Sequence, residues 1–78
     1  MTREERNTRT FLHNIIEDTL YRNMSEHLID LLEEDLIKTI NNTSLPEHIK
    51  KELRYEISDY MLNKKFLQRN INRLLRSN

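Results

Sequence analysis

The chain contains no cysteine, glycine, alanine, valine or tryptophan, and a single proline, Pro46. Each absence closes off something. Without cysteine there is no disulfide framework, no thiolate nucleophile and no cysteine-ligated zinc. Without glycine there is no phosphate-cradling loop, no Gly-x-Ser-x-Gly elbow and no glycine turn for a divalent-metal loop. Turns and helix ends must therefore be built from Asn, Ser and Thr. Without valine, and with no sustained alternation of apolar and polar residues, strands have little to be made from. Long apolar runs are lacking too, so no segment is fit to span a bilayer. The start, Met1-Thr2-Arg3-Glu4-Glu5-Arg6, lacks the apolar stretch of a signal peptide. The expected setting is intracellular, cytoplasm or nucleus (a host cell if the chain is viral), with no membrane partner. Asn, Ile, Lys and Leu are plentiful, which fits an AT-rich coding sequence, as in a virus, a phage or an AT-rich microbe.

What is present is charge and helical periodicity. The 78 residues carry 13 basic and 13 acidic side chains, and 36% are apolar. That balance fits a folded amphipathic domain better than a disordered chain, which needs low hydrophobicity and high net charge. One domain is the natural count. A domain this short buries only roughly 60–65% of the surface its unfolded chain exposes. Small chains usually supplement so thin a core with disulfides, a metal or association. With no cysteine and scattered histidines, association with a second copy or a larger protein is what remains.

The spacing predicts an all-α fold: a small three- to four-helix bundle with a long or kinked C-terminal helix. Helices are expected over 11–22, 24–41 and 45–76. Thr2-x-x-Glu5 reads as a capping box that starts the first helix near Thr2; Thr8 and Thr10 are alternative starts. In that case residues 1–10 either fray or carry an exposed charged face. The first apolar stripe is Phe11, Leu12, Ile15, Ile16 and Leu20. Asn23 or Ser25 can cap the second helix, whose stripe is Leu28, Leu31, Leu32, Leu36 and Ile40, broadened by Ile29 and Ile37. A stripe that wide predicts burial on more than one side. Ser44-x-x-Glu47, with Pro46 in the first turn, reads as a second capping box. Beyond it, either one helix runs from about Leu45 to Arg76, or Asn63 divides the stretch into a third and a fourth helix. The continuous form is preferred, because an Asn inside a helix costs only about 0.7 kcal/mol relative to Ala.

Two patterns need weighing. Glu26-His27-Leu28 with Leu32, Asp35 and Leu36 recurs as Glu47-His48-Ile49 with Leu53, Glu56 and Ile57. This is either a duplicated hairpin or the ordinary phase agreement of two amphipathic helices offset by whole heptads. Separately, Leu28-Ile29-Asp30-Leu31-Leu32 with Leu36-Ile37 distantly resembles the helical hairpins of small transcription and mRNA-export adaptors of the enhancer-of-yellow type. The glycine those adaptors place after such a helix is missing, and the likeness covers a short part of the chain.

Reactive constellations are not found. Glu26, Asp30, Glu33, Glu34 and Asp35 make an acidic strip on the second helix, which reads as a solvated face before it reads as a metal or general-acid site. His13, His27 and His48 show neither His-x3-His nor His-Glu-x-x-His spacing. Ser25, Ser44, Ser58 and Ser77 fall in caps, helix faces or the tail. The Asn41-Asn42-Thr43 and Asn42-Thr43-Ser44 sequons read as turn chemistry. No catalytic, cofactor or metal site and no small-molecule substrate are expected.

The informative feature is asymmetry of charge. From Glu17 to Asp35 there are seven acids and one base; from Tyr60 to Asn78 there are five bases and no acid. Lys64, Lys65, Arg69, Arg73 and Arg76 are candidate nucleic-acid contacts. They read first as partners for the acidic second helix, or as cations complementing a helix C-terminus. Leu53, Ile57, Tyr60, Leu67, Ile71 and Leu74 alternate at spacings of four and three, a heptad seam interrupted only by Lys64. They are the candidate interface for a protein partner or a homodimer. The expected function is a non-enzymatic interaction or regulatory module. A small transcription- or RNA-related nucleic-acid binder is one alternative, and a viral or phage inhibitor of a host protein is another.

Overall fold

The computed structural model describes residues 2–76. They form three helices that pack on one another: α1 (Arg3–Leu20), α2 (Glu26–Asn41) and α3 (Glu47–Arg76). The C-terminal stretch is one helix of 30 residues, with no break at Asn63. At 1.5 Å per residue it is about 45 Å long, and it sets the long axis of a 50 × 17 × 15 Å particle.

Local sequence explains where the helices start. Thr2 caps α1, its hydroxyl accepting from the Glu5 amide at 3.2 Å. The first helix therefore begins eight residues before Phe11. Its early turns are held from the side: the Glu5 carboxylate turns to Arg9 at 3.3 Å, and Arg9 also approaches Glu52 and Glu56 of α3 at 3.7 Å. Ser25 caps α2 through the Leu28 amide at 3.2 Å. The expected Ser44–Glu47 box does not form. The Ser44 amide and hydroxyl both donate to the Glu4 carboxylate, at 2.9 and 2.7 Å, and Glu47 pairs instead with Arg54. The backbone of α3 is opened by the Pro46 carbonyl, which accepts from the Ile49 and Lys50 amides.

Where the helices end follows from the missing glycine. No described residue has positive φ, so neither α1 nor α2 ends in the usual left-handed cap. Cations from α3 take over the exposed carbonyls. Lys64 Nζ donates to the Leu20 and Arg22 carbonyls at 3.2 and 2.7 Å. Lys50 Nζ donates to the Asn41 carbonyl at 3.1 Å. Each ammonium also sits at the negative end of a helix dipole.

The same contacts fix direction. Pairings run Glu4–Ser44, Arg9–Glu56, Ile16–Tyr60 and Leu20–Lys64, so α1 and α3 run parallel. Asn41–Arg54 and Glu26–Arg69 mark the ends of an antiparallel α2–α3 pair. The core is Leu12, Ile29, Leu36, Ile40, Leu45, Leu53, Ile57 and Met61, with Ile15, Met24, Leu32, Ile37, Ile49 and Tyr60 packed around it. On α2 the buried line is Ile29, Leu36 and Ile40. Leu28 and Leu31, expected in the main stripe, are exposed beside Asp18 of α1 and Arg22 of the connection that follows it. Among the described residues, no helix is long and apolar enough to cross a membrane.

Candidate interaction surface

α3 divides into two stretches. Its first part is built into the fold. Leu53 and Ile57, both expected in an intermolecular seam, lie inside the chain's own core. Tyr60 is half-buried, its hydroxyl donating to the Ile16 carbonyl at 3.2 Å and lying 3.5 Å from the Thr19 hydroxyl. The true inward register is Leu53, Ile57, Met61, Lys64 and Gln68. It drifts off the strict heptad because a straight helix turns by 3.6 residues and not 3.5.

The residue that interrupts the seam is explained by what it touches. Lys64 is buried, 5% exposed, with its ammonium on the end of α1. Burial pushes its pKa below the ordinary lysine value. One turn on, Gln68 serves the α1–α2 connection. Its Oε1 accepts from the Met24 amide at 3.4 Å, and its Nε2 donates to Asn23 Oδ1.

The basic run is largely engaged within the chain. Lys65 pairs with Asp30, and Arg69 grips the Glu26 carboxylate with two nitrogens, Nη2 at 3.0 Å. Arg69 also stands 5.8 Å from the centre of the Phe66 ring, within cation–π range. Arg73 and Arg76 have no acidic partner among the described residues. Of the five candidate nucleic-acid contacts, the structure thus brings three onto α1 and α2 and leaves two facing outward at the helix end.

Past Arg69, α3 outruns its neighbours, since α2 begins at Glu26, the partner of Arg69. About 10 Å of helix projects beyond that point. Leu67, Ile71, Leu74 and Leu75 are 47%, 42%, 66% and 68% exposed. Ile71 and Leu75 continue the inward face of Leu53 and Ile57 past the place where other helices cover it. The stripe that the heptad reading placed over the whole helix is thus presented only at this end. Leu75 belongs to it and was outside the seam, because its spacing follows 3.6 residues per turn.

Among the described residues there is no group of three or more His, Asp or Glu able to hold a metal. His13 pairs with Glu17 on the outer face of α1 at 3.3 Å. A cleft of about 590 Å³ lies as an open trough between α1 and α2, lined by Arg3, Asn7, Phe11 and Thr39 among others. No known protein family, curated protein or solved structure matches the chain.

The carboxylates that tie the helices make acid a specific probe. Hydrogen bonds from Ser44 hold Glu4 below the ordinary glutamate pKa, those from Arg69 hold Glu26 below it, and those from Arg54 hold Glu47 below it. A lowered folded pKa means that the unfolded chain takes up protons first as pH falls. This stabilisation is therefore complete above the ordinary value of about 4.3 and lost as pH drops through the lowered folded values. The melting temperature is expected to fall modestly below about pH 4, since these carboxylates are exposed and screened by solvent. In Glu26→Gln that acid-side fall should be shallower; an unchanged slope would show that Glu26 titrates alike in both states.

Proposed function

We propose that this protein is a small non-enzymatic interaction module, a three-helix bundle that docks on a protein partner through the projecting end of α3. One observation carries the reading: Ile71 and Leu75 stand exposed on helix that outruns its neighbours, with Leu67 exposed one turn before it. Scattered single apolar residues on a surface need no explanation, whereas a contiguous apolar stripe marks a contact site. The thin core argues in the same direction, since a domain of this size gains by covering such a stripe. A viral or phage inhibitor of a host protein would use the same surface.

The test is a photo-crosslinking residue placed at Ile71 and, as a control, at the exposed Lys51 on the outer face of α3. Covalent products are expected from position 71 and not from 51. Equal products, or none from either position, would contradict the reading.

Nucleic-acid binding keeps a smaller basis, Arg73 and Arg76 with Asn72 beside them. Contact through two cations predicts a log–log salt slope of about −2 on duplex DNA; all five would give about −4.5. Measuring affinity for a generic duplex at several salt concentrations separates the two, and no binding at low salt removes this reading.

A further inference from the structure

The end of α3 has a symmetry that bears on what covers it. About Ile71 the sequence is nearly palindromic: Leu67-Gln68-Arg69-Asn70-Ile71-Asn72-Arg73-Leu74-Leu75. Leu67 mirrors Leu75, Arg69 mirrors Arg73 and Asn70 mirrors Asn72. In an antiparallel helix pair with its two-fold axis at Ile71, a residue a given number of steps before Ile71 lies opposite the one the same number of steps after it on the other copy. Leucine then meets leucine, isoleucine meets isoleucine and amide meets amide.

The charges are placed to allow this. At about 100° per residue, Asn70 and Asn72 border the apolar stripe on its two sides. Lys65, Arg69, Arg73 and Arg76 are all turned about 120° or more from Ile71, onto the opposite face. Residues 60–78 contain no acid, so two such helices would repel if their cations lay at the contact. A border of neutral amides removes that conflict, and asparagine amides can hydrogen-bond to one another as donor and acceptor. An acidic foreign helix, by contrast, would be drawn to the arginine face and not to this one.

Resting on the reading of this helix end as an interaction surface, we infer that its occupant is a second copy of the chain, paired antiparallel about Ile71. Leu67, Ile71 and Leu75 of each copy form the contact, and Asn70 and Asn72 form its rim. A stripe this short falls below the roughly 1,200 Å² that stable pairs bury. The association is therefore concentration-dependent.

The chain has no cysteine, so a single introduced thiol reports register without ambiguity. Ile71→Cys, Leu67→Cys and Leu75→Cys, each at an exposed position, are treated with a short bis-maleimide reagent. Light scattering measures the mass of the unsubstituted chain over a range of concentrations. Circular dichroism confirms that each variant keeps its helix. The expected result is a mass rising from 9.6 kDa toward twice that value, with Ile71→Cys linking to itself. Leu67→Cys and Leu75→Cys should link to each other in a mixture more than either links to itself. Ile71→Asp should weaken the pair on the order of 100-fold, because two carboxylates would meet at the axis. Self-linking of Leu67→Cys and Leu75→Cys as fast as that of Ile71→Cys would show parallel pairing and overturn the inference. A mass of 9.6 kDa at every concentration would overturn it as well. If position 71 then crosslinks to a foreign chain, the surface stands with a different occupant; if it crosslinks to nothing, the functional reading falls with the inference.

Discussion

Replacing Leu53 by Ala is expected to lower the unfolding free energy by about 3 kcal/mol, within the 2–5 kcal/mol range for buried leucines. Leu53 is fully buried and shares its surroundings with Leu12, Ile16 and Ile57, so it is held between α1 and α3. With stability of roughly 0.05–0.15 kcal/mol per residue, a chain of 78 residues loses a large fraction of its total. The melting temperature should fall by about 12–24 °C. Leu62→Ala, on the same helix but half exposed, serves as the comparison and should change stability by less than about 1 kcal/mol. Thermal unfolding followed by circular dichroism measures both. Equal losses would mean that the inward register of α3 is not the one described.

The second large effect concerns Lys64. Lys64→Glu would place a carboxylate against the Leu20 and Arg22 carbonyls that the ammonium now holds. A buried charge left without a partner costs about 3–5 kcal/mol, enough to loosen α1 from α3 in so small a domain. Lys64→Met behaves differently. It keeps the apolar stem, gives up two hydrogen bonds to a charged donor, each worth about 1.5–3 kcal/mol, and removes the cost of burying an ammonium. The opposing contributions should leave a net loss of about 1 kcal/mol. Denaturant unfolding of the two variants tests this ordering. If Met and Glu cost the same, the ammonium is not a helix cap.

Much of this was legible in the residues. The missing valine and glycine and the recurrent spacing of three and four led to an all-helical chain, and Thr2 and Ser25 cap as their types predict. An uninterrupted α3 was the preferred of two readings left open, on the low cost of Asn63 inside a helix. The errors share a cause. Ser44-x-x-Glu47 satisfies the capping pattern, but Glu4 from another helix competes for the Ser44 hydroxyl, and no local pattern contains that competitor. Leu28 and Leu31 look like core by spacing, yet which side of α2 is covered depends on where α3 packs against it. Lys64 reads as a flaw in a heptad until the end of α1 is seen above it. The absence of glycine was a usable signal here, because a chain that cannot make left-handed caps must close its helix ends some other way.

The charge asymmetry shows the same limit. An acidic α2 and a basic end of α3 are apparent from composition, but the pairing of Lys65 with Asp30 and of Arg69 with Glu26 depends on the antiparallel register. Once that register is set, the basic run divides into an engaged part and a projecting part. The apolar seam divides at nearly the same place, so one helix carries both a buried stretch and an exposed one.

That division of labour is most directly tested by the thermal unfolding of Ile71→Asp in dilute solution. The account predicts a helical signal and a melting temperature within about 4 °C of the unsubstituted chain, as for an exposed substitution away from the core. A fall as large as that of Leu53→Ala would contradict it, since the end of α3 would then be part of the fold and not a surface held out for a partner.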